Sequence, residues 1–155
     1  MTFFPSPVIV GVDGTRPARH ALLTAVEICV ATDSPLHLVH IKLTAGMIRG
    51  RPMTPAQRER ADAEGEDFLA AQRQAAAEAG LDSAQTHLRY AENTEDGLVR
   101  LQHELVAGLL IIGDHPGGTL AQRLFRTGAG ESAVRRSAAS VMVVRPPSEQ
   151  FGGSQ

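Results

Sequence analysis

Apolar residues fall along this chain in two rhythms: short uninterrupted runs, and longer stretches in which they recur every three or four positions. Val8-Ile9-Val10-Gly11-Val12 is a run rich in β-branched residues, which suits a strand buried on both faces. Beyond Asp13-Gly14-Thr15, Pro17 suits the first turn of a helix, and Leu22, Ala25, Val26 and Cys29 share one side of it. Asp33-Ser34-Pro35 ends that helix, and Leu36 to Ile41 predicts a second strand, too distant for a tight hairpin and well spaced for a crossover. Thr54-Pro55 opens and Gly80 closes a long helix rich in Ala, Gln, Glu and Arg, whose apolar stripe is thin and whose middle is weakened by Gly65.

Thr86 to Tyr90 alternates polar and apolar, as a half-exposed strand at a sheet edge does, and Leu98, Leu101 and Leu105 mark the next helix. Leu109 to Ile112 is a second fully apolar strand. A long stretch from Gly113 to Gly130 leads to a short helix near Glu131 to Ser137 and a last apolar strand, Val141-Met142-Val143-Val144. Five strands alternating with helices predict an α/β fold, an open and mainly parallel sheet with helices on both faces. Residues 1–6 are expected to be an N-terminal extension, 7–146 the domain and 147–155 a flexible tail. Ligands bind such sheets beyond the carboxyl ends of the strands, where the strand order reverses, so Asp13 to Pro17 and Gly113 to Gly130 are the segments to inspect.

Composition narrows the function. A formal net charge of −2 leaves no basic footprint for nucleic acid or an anionic membrane, and no apolar stretch approaches the roughly 18 residues of a membrane span. The expected location is the cytoplasm. Of the 15 basic residues only Lys42 is a lysine, so a phosphate site built on lysine has almost no candidate. The single cysteine, Cys29, excludes an intrachain disulfide and reads as a small core residue.

Glycines at both ends of the Gly113–Gly130 stretch allow backbone N–H groups to converge on an anion, with the dipole of the last helix added. The same glycines would also serve a plain turn and helix start. Arg123, Arg126 and His115 are candidates for phosphate contact, each with surface solvation as its alternative. Asp13 is placed to accept from ribose hydroxyls or, alternatively, to cap the turn into the helix. Among the six histidines, His37 and His40 face opposite sides of a strand and are not joint metal ligands, while His20, His87 and His103 are expected on the surface. No metal, no catalytic residue and none of the common nucleophile or phosphate-loop motifs is assigned.

Val8 to Thr15 resembles the opening of the universal stress protein family, an apolar strand followed by Asp-Gly-Ser or Asp-Gly-Thr. Leu36 to Ile41 is similar to its second strand, Leu110-Ile111-Ile112-Gly113 to its fourth, and Glu131 through Val144 to its closing helix and strand. The resemblance implies an adenine-nucleotide alpha-hydrolase-like sheet of order 3-2-1-4-5. It implies a homodimer joined through Val141–Val144, which would otherwise be an uncovered apolar edge. It further implies a stress-response regulator that binds ATP, with at most weak hydrolysis. Asp13 would meet the ribose beside Gly14 and Thr15, the backbone near Ile41 the base, and Gly113, His115, Gly117, Gly118, Arg126, Thr127 and Gly128 the phosphates.

The family's loop reads Gly, two residues, Gly, nine residues, Gly, then Ser or Thr, and this chain departs from it. Counting from Gly113 puts Pro116, Arg126 and Thr127 at the later positions; taking Gly117 and Gly128 restores the glycines but leaves Ala129 where the hydroxyl belongs. Pro116 also removes one N–H donor. Two function classes therefore stand: a nucleotide-binding regulator, and a dimeric adaptor of the same family that acts through a protein partner without nucleotide. A metabolic enzyme on the same fold is a third, for which no general base is evident.

Overall fold

The computed structural model describes residues 3–44, 51–114 and 139–147. In chain order they form β1 (Val8–Gly11), α1 (Arg16–Thr32), β2 (Leu36–Leu43), α2 (Pro55–Glu78), β3 (Gln85–Ala91), α3 (Thr94–Leu105), β4 (Leu109–Gly113) and β5 (Ser140–Val144). The strands make one sheet of order β3-β2-β1-β4-β5, and every pairing is parallel. The order 3-2-1-4-5 and the edge position of the third strand agree with the expectation. The expected last helix and the stretch after Asp114 lie outside the described residues.

Alternation along β1 explains both layers. Val8 and Val10 point to one face, where they pack with Ala21, Leu22, Ala25 and Val26 of α1 and with Leu69 of α2; Ile9 points to the other, against Leu98 and Leu101 of α3. Val8, Ile9 and Val10 are all 0% exposed, which is why the run has no polar position. Each such side chain contributes about 1.5–3 kcal/mol by leaving water. Cys29 is buried in the α1 layer, and burial pushes its thiol up to about 11, so it is a packing residue.

Helix α2 runs unbroken through Gly65. This glycine is buried, and a Cβ there would come within 2.7 Å of Leu88 Cδ1 and 3.2 Å of Lys42 Cε. The thin stripe is thus compensated by close approach: with only Gly65, Leu69 and Ala76 buried, the helix docks by bringing backbone near the sheet. The Thr54 hydroxyl accepts from Gln57 N, and Gln57 Oε1 accepts from Thr54 N, a reciprocal cap that fixes the helix start.

Two surface expectations need correction. His20 is half-buried on α1, and His87 is half-buried on β3 because its ring meets His37 across the β2–β3 pair, a contact between residues 50 apart that local alternation does not reveal. His103 is exposed.

Helix α3 ends on Val106 at φ 50° and ψ 41°, the left-handed region, which costs a β-branched residue about 1–2 kcal/mol. Val106 is 78% exposed, so little burial offsets that cost. Val106→Gly is expected to stabilise the fold by about 1 kcal/mol, an increase of roughly 2–4 °C in melting temperature. Thermal denaturation followed by circular dichroism checks this, and an unchanged or lower midpoint would contradict it.

Candidate functional site

The carboxyl edge of the sheet is uneven because β1 is short. Val12 N donates to Val39 O at 2.9 Å, the last rung between β1 and β2, while β2 continues to Leu43. In a strand, the N–H and C=O of alternate residues face the same edge. Val39 turns its polar groups toward β1, so Ile41 does too, but beyond the point where β1 has stopped. On the far side of the gap stands the end of β4, Ile112 and Gly113. The order reverses here, with β1 sending its connection one way and β4 lying on the other side.

The floor of the gap is the turn from β1 into α1. Gly14 has φ +82°, and a Cβ there would face the Phe68 ring at 3.5 Å. The turn lets Asp13 Oδ1 accept from Thr15 N at 2.9 Å and from the Thr15 hydroxyl. The Thr15 oxygen in turn accepts from Ala18 N at 3.4 Å as the N-cap of α1. The two readings of Asp13 are therefore compatible: one carboxylate oxygen organises the turn, and the residue is exposed at the gap. The N-terminal end of α1, with its partial positive charge, opens onto the same place.

Gly113 is needed by packing before any ligand is considered. A Cβ on it would lie 2.4 Å from Pro17 C, 2.5 Å from Pro17 O and 2.6 Å from Ala18 N, so the end of β4 and the first turn of α1 touch through backbone alone. Ile41 is likewise committed on its side chain, which lies 2.7 Å from where a Cβ of Gly97 on α3 would be. This leaves its backbone as the part that faces the gap. The structure thus gathers Asp13, Gly14, Thr15, Ile41 and Gly113 around one crevice. His115, Gly117, Gly118, Arg123, Arg126, Thr127 and Gly128 lie outside the described residues.

Three residues at this edge were not singled out from the sequence. His40 Nδ1 donates to Val12 O at 3.0 Å, since a carbonyl only accepts, and its ring lies 4.6 Å from that of Phe68. Phe68 joins it as the wall over Gly14. Asp114 follows β4 directly: its N donates to Val144 O at 2.8 Å and its Oδ2 accepts from Arg145 Nε at 2.9 Å. Asp114 Oδ1 is buried and has no hydrogen-bond partner among the described residues. An acidic residue directly after a uniformly apolar strand was the available signal. Lys42, in contrast, turns away, its Nζ donating to Ala61 O on α2 at 2.6 Å.

Among the described residues no group of three or more His, Cys, Asp or Glu is arranged to hold a metal ion, and no helix is long and apolar enough to cross a membrane. The described rim carries Asp13 and Asp114, with Arg145 paired to the latter. What this rim offers is a carboxylate, a strand edge and a helix N-terminus within one notch. Such a set suits a ligand with hydroxyls, a flat polar edge and an anionic end.

The sequence model described as the Universal stress protein family matches residues 6–145. No curated protein matches the sequence. Among solved structures, the chain is similar to a protein of the universal stress protein family from Burkholderia pseudomallei, at 22% identity and a TM-score of 0.66 over 88% of this chain and 93% of that one. It is similar to a universal stress protein in complex with cAMP, at 24% identity and a TM-score of 0.61 over 89% and 94% of the two chains. It is also similar to one from Archaeoglobus fulgidus in complex with dAMP, at 18% identity and a TM-score of 0.64 over 89% and 96%.

The close approach at Gly113 sets a test of the crevice geometry. Gly113→Ala is expected to cost about 1–3 kcal/mol, because the new methyl meets backbone that cannot rotate away. Gly11→Ala, whose methyl would meet only Leu98 Cδ2 at 3.6 Å, is expected to stay within about 0.5 kcal/mol of the parent. Urea denaturation of the two variants measures the contrast, and equal midpoints would refute it.

Proposed function

The chain belongs to the universal stress protein family, and on that premise we propose that it is a dimeric regulator which holds an adenine nucleotide in the crevice at the end of β1. The observation that carries this reading is the length mismatch between β1 and β2. It leaves the Ile41 N–H and C=O facing the gap, a donor and an acceptor side by side, as the edge of a purine requires. Asp13 at the floor is set to accept from ribose hydroxyls. The phosphates are assigned to the N-terminal end of α1, to Gly113 and to the segment holding His115, Gly117, Gly118, Arg126, Thr127 and Gly128. Related structures with cAMP and dAMP bound support an adenine nucleotide as the ligand class.

The proposal extends to ATP, although Pro116 removes one donor from the phosphate segment and favours tighter recognition of the nucleoside than of a triphosphate. Turnover is at most slow in this reading, with no residue assigned as general base. Calorimetry on nucleotide-stripped protein with AMP, cAMP and ATP provides the test. Asp13→Ala is expected to weaken each by about tenfold to a hundredfold, the value of a lost hydrogen bond to a charged group. Asp13→Asn retains an oxygen for Thr15 and separates loss of the turn from loss of the ligand. Absence of heat from the parent protein with all three would overturn the nucleotide reading in favour of an adaptor.

The dimer is proposed through β5. This strand lies at the sheet edge, Met142 is 36% exposed on it, and Val141, Val143 and Val144 are half-buried, so among the described residues an apolar strand has one row of backbone groups without a strand partner. A second copy meeting it through a two-fold axis covers both. Light scattering is expected to give twice 16.5 kDa at micromolar concentration, and Met142→Lys to shift the protein toward monomer. A monomeric parent would exclude this interface.

A further inference from the structure

We propose that His37 and His87 form an acid-released latch that holds the edge strand β3 to β2. His37 Nδ1 and His87 Nε2 are 2.9 Å apart, with ring centroids 5.1 Å apart and planes tilted by 41°. His37 is buried and only 6% exposed. The pair lies on the α3 side of the sheet, because Val39 is the register partner of His87 and belongs to the cluster packed under α3. None of the residues assigned to the crevice is part of it.

The bond has a simple proton requirement. One of the two facing nitrogens must carry hydrogen and the other must present a lone pair. A neutral pair meets this, and so does a pair with one added proton on an outward nitrogen. A doubly protonated pair does not, since two N–H groups then point at each other and two like charges share a buried site. Acid therefore converts an attraction into a repulsion across the β2–β3 seam.

The surroundings set where this happens. Burial lowers the pKa of His37; burial, then the charges of His37 and Arg89, lower that of His87, while Glu104 raises it. Arg89 lies two residues on along β3 and pairs with Glu104 of α3 at 3.2 Å, so these two charges partly cancel at the ring. The other titratable groups of the covering helix are Glu95, buried in its first turn, Asp96, half-buried beside it, and Arg100 and His103, both exposed. From β2, the neighbours on this face are Val39 and Ile41, which carry no charge.

Both folded pKa values lie below the unfolded histidine value of about 6.5, so the unfolded chain binds more protons as the pH falls past that point. The contribution of the latch is complete above that value and declines as the pH drops through the folded values. The loss is local. Among the described residues β3 has a strand partner on one edge only, whereas β1 and β4 are paired on both.

Hydrogen exchange on the full chain at pH 7.5 and 5.5, corrected for intrinsic rates, tests the latch. Protection of residues 85–91 is expected to fall by up to about tenfold for each histidine, the limit set by working one pH unit below the unfolded value, while that of 109–112 holds. His87→Gln still donates and accepts but does not titrate, so protection should depend on pH less than in the parent, with only the remaining histidine contributing; His37→Gln serves the same purpose if the first variant does not fold. Nitrogen NMR of the two imidazoles in the unmodified protein should show coupled titration below 6.5. Independent titrations near 6.5, or an equal loss of protection in both segments, would overturn the proposal.

Discussion

The structure depends on one constraint, that β1 has no side or edge in contact with water. The side chains of Val8, Ile9 and Val10 are fully buried, and a backbone in that position needs every N–H and C=O satisfied by neighbouring strands. β2 and β4 must therefore flank it, and α1 and α3 must close the two faces. Where β1 stops, both neighbours lose their partner at once. The crevice is thus what remains when a strand buried on both faces is also short, at 4 residues against 8 in β2.

What makes the crevice firm is the absence of side chains at its joints. At Gly113 two elements meet through backbone alone, and at Gly97 the backbone of α3 comes up against the side chains of Ile41 and Ala91. His40 adds a polar tie from β2 to the carbonyl of Val12, and Thr15 with Asp13 locks the entry to α1. The floor and both walls are each held by hydrogen bonds or contact that involve main chain. A ligand meeting this surface finds donors and acceptors already oriented, which reduces the ordering cost of binding.

Much of this was legible in the sequence. The unbroken apolar runs Val8–Val12 and Leu109–Ile112 marked strands covered on both faces, and the alternation of Thr86–Tyr90 marked an edge. Asp13, Ile41 and Gly113 were legible as site candidates through family resemblance, and the fold brings them around one gap. Other features were hidden because their cause is distant in the chain. Gly65 read as a weak point in a helix, yet its value comes from Leu88 on another element. His87 read as a surface residue because its partner, His37, lies on a different strand. β2 outran its expected end at Ile41 because Lys42, polar in the sequence, folds its ammonium back onto α2.

That last detail reaches beyond the fold. Lys42 is the only lysine of the chain, its side chain is 19% exposed, and its ammonium is shared between the Ala61 carbonyl and Glu64 at 4.0 Å. Apart from the six histidines, every other basic side chain is a guanidinium, permanently protonated and not open to lysine acylation. A cell that adjusts protein charge by acetylating lysines would find here a single, half-withdrawn target. The electrostatic character of this surface is therefore set at synthesis and is largely closed to later revision by that route.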